Sequence, residues 1–126
     1  MKVLAIIPAR GGSKRISKKN IKLFLNKPVI AYAIKLAINS NLFDEVMVST
    51  DSYEIANVAL KYGAKVPFMR SNKTSSDYAT TFDVIDEVIT QYSLLNVEFD
   101  KACCIYPCTP LLRVETLLSS YKKLID

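Results

Sequence analysis

The sequence predicts an α/β protein with a parallel sheet covered by helices on both faces, and three observations carry that prediction. Short runs such as Val3–Ile7, Val46–Val48 and Cys103–Ile105 are apolar throughout, the pattern of strands buried on both sides. Between them, apolar residues recur at helical spacing. The connections are short, so the order β-α-β-α-β-α-β-α suits parallel pairing with helical crossovers.

The elements follow in order. Residues 3–8 form a first strand, closed by Pro8, which cannot donate to a ladder. Residues 9–27 have no apolar period and predict a long loop with one short turn near Ile21–Phe24. Pro28 suits the first turn of a helix capped by Asn26, and Val29, Ile30, Ala33, Ile34, Ala37 and Ile38 continue it to about Asn41. Val46–Thr50 is a second strand. Ser52 opens a helix over Glu54–Tyr62, which Gly63 ends in the C′ position. Lys65–Phe68 is expected as a third strand, on an edge because of Pro67. After a polar loop from Arg70 to Ala79, Thr80 or Thr81 caps a helix bearing Val84, Ile85, Val88, Ile89 and Tyr92. Asp83, Asp86 and Glu87 fall in its early turns, where the helix dipole favours anions. Lys101–Tyr106 is a fourth strand, and residues 113–125 a last helix.

A length of 126 residues suits one domain, and there is no internal repeat, low-complexity tract or linker. No apolar run approaches the roughly 18–20 residues of a membrane span, and the run before Pro8 is too short for a signal peptide. Cys103, Cys104 and Cys108 match neither a disulfide framework nor a zinc pattern, so reduced core thiols in a cytoplasmic protein are expected. The chain has no histidine, which excludes a histidine triad, an imidazole base and a histidine-ligated metal within it.

Charge is unevenly spread. From Lys2 to Lys27 there are eight cations and no acid, whereas the remainder has nine cations and twelve acids. The basic segment includes Gly11-Gly12-Ser13, whose backbone N–H groups can approach an anion without a crowding Cβ. Arg10, Lys14, Arg15 and Lys19 flank them with enough charge for several phosphates. In open parallel sheets ligands sit beyond the carboxyl ends of the strands. Those ends are here the Arg10–Asn20 loop, Thr50-Asp51, the Arg70–Ala79 loop and Tyr106–Pro110. The alternative for the first loop is a solvated basic loop. Neither the P-loop spacing nor the three-glycine dinucleotide fingerprint is present.

The stretch Ile7-Pro8-Ala9-Arg10-Gly11-Gly12-Ser13-Lys14-Arg15, with Lys18-Lys19-Asn20-Ile21, resembles the acylneuraminate cytidylyltransferases, which join CMP from CTP to nine-carbon sugar acids. The similarity continues through Asn26–Tyr32 and Val48–Ala56, resumes at Arg70 with Asp77, and returns at Pro107–Pro110. It implies a Rossmann-like nucleotidyltransferase sheet, of which residues 1–126 are the amino-terminal part of a single domain. It further implies Mg²⁺ as cofactor, with metal carboxylates largely in the other half of the family domain, so none is assigned here.

By position, the resemblance implies that Ala9, Gly11, Gly12, Ser13, Lys14 and Arg15 surround the triphosphate, with Arg10 and Lys19 as the catalytic cations. Asn20 would contact the nucleotide, and Arg70, Ala79 and Thr81 would line the cytosine pocket. Tyr106 and Thr109 would face the sugar. The sialic-acid enzymes tend to read Gln-Pro-Thr-Ser-Pro where this chain has Tyr106-Pro107-Cys108-Thr109-Pro110, a departure closer to the pseudaminic acid branch. The implied reaction is attack of the sugar's anomeric hydroxyl on the α-phosphorus of CTP with release of pyrophosphate. Pseudaminic acid is the favoured acceptor, followed by N-acetylneuraminic and legionaminic acids.

Plainer readings stand beside these. Arg70 can be a surface arginine paired with Asp77, Asp51 can cap the next helix, and Tyr106 can be an aromatic at the core edge. The cysteines read as packing. Two other functions remain open: an inactive CTP-binding fragment and a nucleic-acid-binding module. The latter is disfavoured because the cations are confined to one loop with only Phe24 for stacking. The partners expected are therefore CTP and the sugar acid, with neither nucleic acid nor membrane. Apolar area left exposed by a half-domain favours association, most simply as a homodimer.

Overall fold

The computed structural model describes residues 2–10, 23–24, 27–71 and 80–106. Its centre is β1 (Val3–Pro8), which pairs in parallel on both sides. On one side lies β4 (Glu45–Ser49), with Ile6 opposite Met47, and on the other β5 (Lys101–Cys104), with Ala5 opposite Cys103. The sheet order is thus β4-β1-β5.

Alternate residues of β1 enter two half-cores, which is why the strand is apolar at every position. Ala5 and Ile7, continued by Ala9, meet α1 (Val29–Asn39) and α2 (Tyr53–Lys61) through Ile30, Ala33, Ile34, Ala37, Ile55 and Ala59. Leu4 and Ile6, with Met47, face α3 (Thr81–Leu94) through Val84, Val88 and Tyr92. Leu4, Ile6, Ile7, Ile30, Ile34 and Met47 are fully buried, and each such side chain contributes about 1.5–3 kcal/mol by leaving water. The Tyr92 ring is held edge-on between Phe68 and Phe99, at centroid distances of 5.4 and 5.1 Å. Helices therefore cover both faces, as expected.

Two aspartates close the amino-terminal edge of the sheet. Asp44 accepts from the Val3 N–H at 2.7 Å and returns its own N–H to the Val3 carbonyl at 2.8 Å. Asp100 does the same for Lys2, at 2.7 and 2.8 Å. These acids fasten the edge opposite the polar loops, and their role is structural.

Several boundaries differ from the sequence expectation. Lys65–Phe68 is not a strand. Lys65 forms a single parallel bridge to Met47, donating to the Val46 carbonyl at 2.9 Å and accepting from the Val48 N–H at 3.0 Å. Pro67, with no N–H, stops the ladder from extending. The chain rejoins β4 only at Arg70, whose N–H donates to the Thr50 carbonyl at 2.8 Å. Pro28, rather than Asn26, is the N-cap of α1, and no side chain caps that end. Residues 23–24 and 27–28 form a two-residue antiparallel ladder, β2 (Leu23–Phe24) with β3 (Lys27–Pro28), where only a turn was expected. The Lys101–Tyr106 strand is shorter, although Ile105 still donates to the Ile6 carbonyl at 2.9 Å. The expected helix at 113–125 lies outside the described residues.

Candidate active site

The carboxyl ends of β4, β1 and β5 lie side by side. The chain leaves β1 through α1 toward β4 on one side and reaches β5 through α3 on the other. That reversal creates the crevice in which open α/β sheets hold ligands.

Ala9 continues β1 into this edge. It is buried, and its N–H donates to the Ser49 carbonyl at 2.9 Å. Arg10 follows, half-buried at the strand tip. From the other side comes Arg70, only 9% exposed and so not the surface arginine of the plainer reading. Burial pushes the Arg70 guanidinium below its ordinary value, the Arg10 charge adds to this, and the nearby Asp51, Glu87 and Cys104 oppose it. Arginine nevertheless stays protonated. The charges of Arg10, Asp51 and Glu87 are thus all within electrostatic reach of Arg70 at the sheet switch point.

Asp51 reaches this cluster because it is not the helix cap. Ser52 caps α2 by accepting from the Ile55 N–H at 3.3 Å, and Ser52 itself donates its N–H to Thr50 Oγ1 at 3.1 Å. On the opposite bank, α3 begins with a capping box. Thr80 Oγ1 accepts from the Asp83 N–H at 3.1 Å, and Asp83 accepts from the Thr80 N–H at 2.9 Å. Thr81 is thereby fixed on the first turn, where its hydroxyl lies 2.7 Å from that of Tyr106. Tyr106 is 55% exposed, so it stands at the rim with its hydroxyl engaged by a side chain.

The structure thus gathers Arg10 with Arg70, and Thr81 with Tyr106, along one edge. Gly11, Gly12, Ser13, Lys14, Arg15, Lys19, Asn20, Ala79 and Thr109 lie outside the described residues. Glu87, read from sequence only as an acid in an early helical turn, borders Arg70. Its helical spacing from Val84 and Val88 gave no sign of this. The two described thiols are poor nucleophiles: burial raises Cys103, while burial and then Cys103 push Cys104 up to about 11 against the pull of Arg70, and Cys108 lies outside the described residues. Among the described residues no group of three or more histidine, cysteine or acidic side chains gathers to hold a metal ion. These residues therefore do not by themselves fit the expected Mg²⁺. No helix among them is long and apolar enough to cross a membrane.

A parallel sheet with helices on both faces and a switch point at β1 defines a Rossmann-like α/β protein. Over its full length the chain superposes on CMP:2-keto-3-deoxy-manno-octonic acid synthetase, solved in complex with CTP, with a TM-score of 0.84 and 25% identity, spanning 48% of that chain. Residues 4–125 match the cytidylyltransferase family model, and the chain belongs to that family. It is 51% identical, over its whole length, to 54% of a pseudaminic acid cytidylyltransferase from Campylobacter jejuni. It is also 39% identical over 117 residues to a CMP-N,N'-diacetyllegionaminic acid synthase from Legionella pneumophila, covering 93% of this chain and 50% of that enzyme. The chain spans about half the length of these relatives.

Proposed function

We propose that this chain forms the CTP-binding part of a cytidylyltransferase that moves CMP from CTP to a nine-carbon 2-keto sugar acid and releases pyrophosphate. Pseudaminic acid is the favoured acceptor, ahead of legionaminic and N-acetylneuraminic acids. The observation that carries the reading is the buried Arg70, with Arg10 at the tip of β1, on the switch-point edge of a chain that matches the cytidylyltransferase family. The 51% identity to a pseudaminic acid cytidylyltransferase supports the choice of sugar.

In this reaction the anomeric oxygen forms a bond to the α-phosphorus while the bond from that phosphorus to the bridging oxygen of pyrophosphate breaks. Charge grows on the phosphoryl oxygens and on the leaving group, so fixed cations do most of the work. Arg10 and Lys19 supply them, and loss of either lowers the rate on the order of 10²–10³-fold. Ala9 and the Gly11–Arg15 loop surround the triphosphate, Asn20 touches the nucleotide, and Arg70, Ala79 and Thr81 read the base. Tyr106 and Thr109 face the sugar. Mg²⁺ belongs to the proposal as the ion accompanying the triphosphate, with ligands other than the described side chains. A cytoplasmic location, a homodimeric assembly and the lack of nucleic-acid partners belong to the same reading.

The test is calorimetric titration of the 126-residue chain with CTP, followed by a pyrophosphate-release assay with CTP, Mg²⁺ and sugar acid. Lys19→Ala is expected to weaken CTP binding far more than Lys61→Ala, at the far end of α2. Equal effects would remove the site assignment. Binding without turnover would select a nucleotide-binding portion that is inactive by itself, and salt-dependent DNA binding stronger than CTP binding would replace the proposal.

A further inference from the structure

We propose that Glu87 is a positioning residue of the nucleotide site, which clamps Ser71 from α3 and thereby sets where the Arg70 guanidinium stands. The inference rests on the functional reading above. Its basis is the way the Arg70-Ser71 pair is held. On one side the Arg70 N–H donates to the Thr50 carbonyl at 2.8 Å, tying the pair to the end of β4. On the other side both oxygens of Glu87 engage the next residue. Oε1 accepts from the Ser71 N–H at 3.2 Å, and Oε2 accepts from the Ser71 hydroxyl.

Glu87 can act as a clamp because its helix cannot shift easily. Val84 and Val88, on either side of it in sequence, are buried against Leu4, Ile6 and Met47, and the capping box fastens the first turn. A carboxylate on a packed helix gives a more precise anchor than one on a loop. The bonds are charge-assisted and two in number, so they hold a direction as well as a distance.

The placement is otherwise unfavourable. A negative charge near Arg70 opposes the anionic ligand that this residue suits. A merely structural contact between exposed residues would not need to stand there. Orientation of Arg70 accounts for it. A guanidinium offers only donors. Cytosine presents two acceptors at O2 and N3, whereas uracil presents an N–H at N3. A guanidinium held in register therefore distinguishes CTP from UTP, and one that wanders does not.

The experiment compares CTP and UTP affinities of the full chain by titration calorimetry, alongside thermal unfolding. Glu87→Ala is expected to lower the CTP-to-UTP affinity ratio by about tenfold, the scale of losing a charge-assisted bond. Glu87→Gln keeps an acceptor for the N–H and a donor for the hydroxyl, and restores most of the ratio. Ser71→Ala deletes only the hydroxyl contact and gives an intermediate loss without touching the helix. Asp86→Ala, an exposed neighbour, leaves the ratio unchanged. A wild-type ratio in both Glu87→Ala and Ser71→Ala overturns the inference. So does an equal change in Glu87→Gln and Glu87→Ala, which assigns the effect to charge alone. Failure of the unaltered chain to bind CTP instead overturns the functional reading, and this inference with it.

Discussion

Thr81 and Tyr106 are 25 positions apart, yet their hydroxyl oxygens meet at 2.7 Å across the candidate site. The family resemblance implies different substrates for them, the base and the sugar, and the bond joins those two expectations. Tyr106→Phe keeps the ring and removes one partner. A neutral hydrogen bond is worth about 0.5–1.5 kcal/mol, so CTP affinity should fall roughly two- to tenfold, although the tyrosine itself is assigned to the sugar. Thr81→Val should do the same, and the double variant should be little worse than either single one. Additive losses in calorimetry would show that the two hydroxyls act separately. The acids of α3 illustrate how far single residues could be read. Asp83, Asp86 and Glu87 looked alike as anions near a helix start. Asp83 completes the capping box, Glu87 holds Ser71, and Asp86 is exposed. The role of Asp83 follows from its spacing to Thr80, but that of Glu87 depends on the loop opposite, and no local spacing records it.

At the scale of elements, local chemistry was most legible where one residue type is needed. Gly63 has φ of 101°, a left-handed conformation that glycine adopts at least cost. The Gly63 N–H donates to the Leu60 carbonyl and the Ala64 N–H to that of Ala59, at 3.2 and 3.1 Å, forming the Schellman ending of α2. A threonine cap was readable too, as Thr80 or Thr81, and the structure selects Thr80. Thr80→Ala should destabilise the protein by about 1 kcal/mol, measured as a lower urea midpoint with an unchanged slope. No loss would mean that α3 is held by its buried face alone. Strand assignment failed at Lys65–Phe68 because apolar character does not ensure pairing. Lys65 finds β4, but Pro67 removes the next donor.

At the scale of the molecule, the sheet divides the core into two layers, and both β1 and β4 send alternate side chains into each. Ile34 lies in the layer under α1 and α2, and Met47 in the layer under α3, both fully buried. Truncating either to alanine should cost about 2–5 kcal/mol. Because the sheet separates them, the two costs should add to within about 0.5 kcal/mol in denaturant titrations. A marked departure would show that the layers are coupled through β1.

The sequence by itself determined the class of fold and the order of the principal elements, and it gathers eight cations and no acid between Lys2 and Lys27. These rest on periodicity, caps and local composition, which act over a few residues and are written along the chain. Only the tertiary structure decided that Arg70 is buried, that Arg10 and Asp51 come within electrostatic reach of it while Ser52 caps the helix, and that Glu87 grips Ser71. Those facts depend on which strand ends the packing of two helical layers brings side by side. Such proximity comes from burial of distant apolar faces, and spacing along the chain does not encode it.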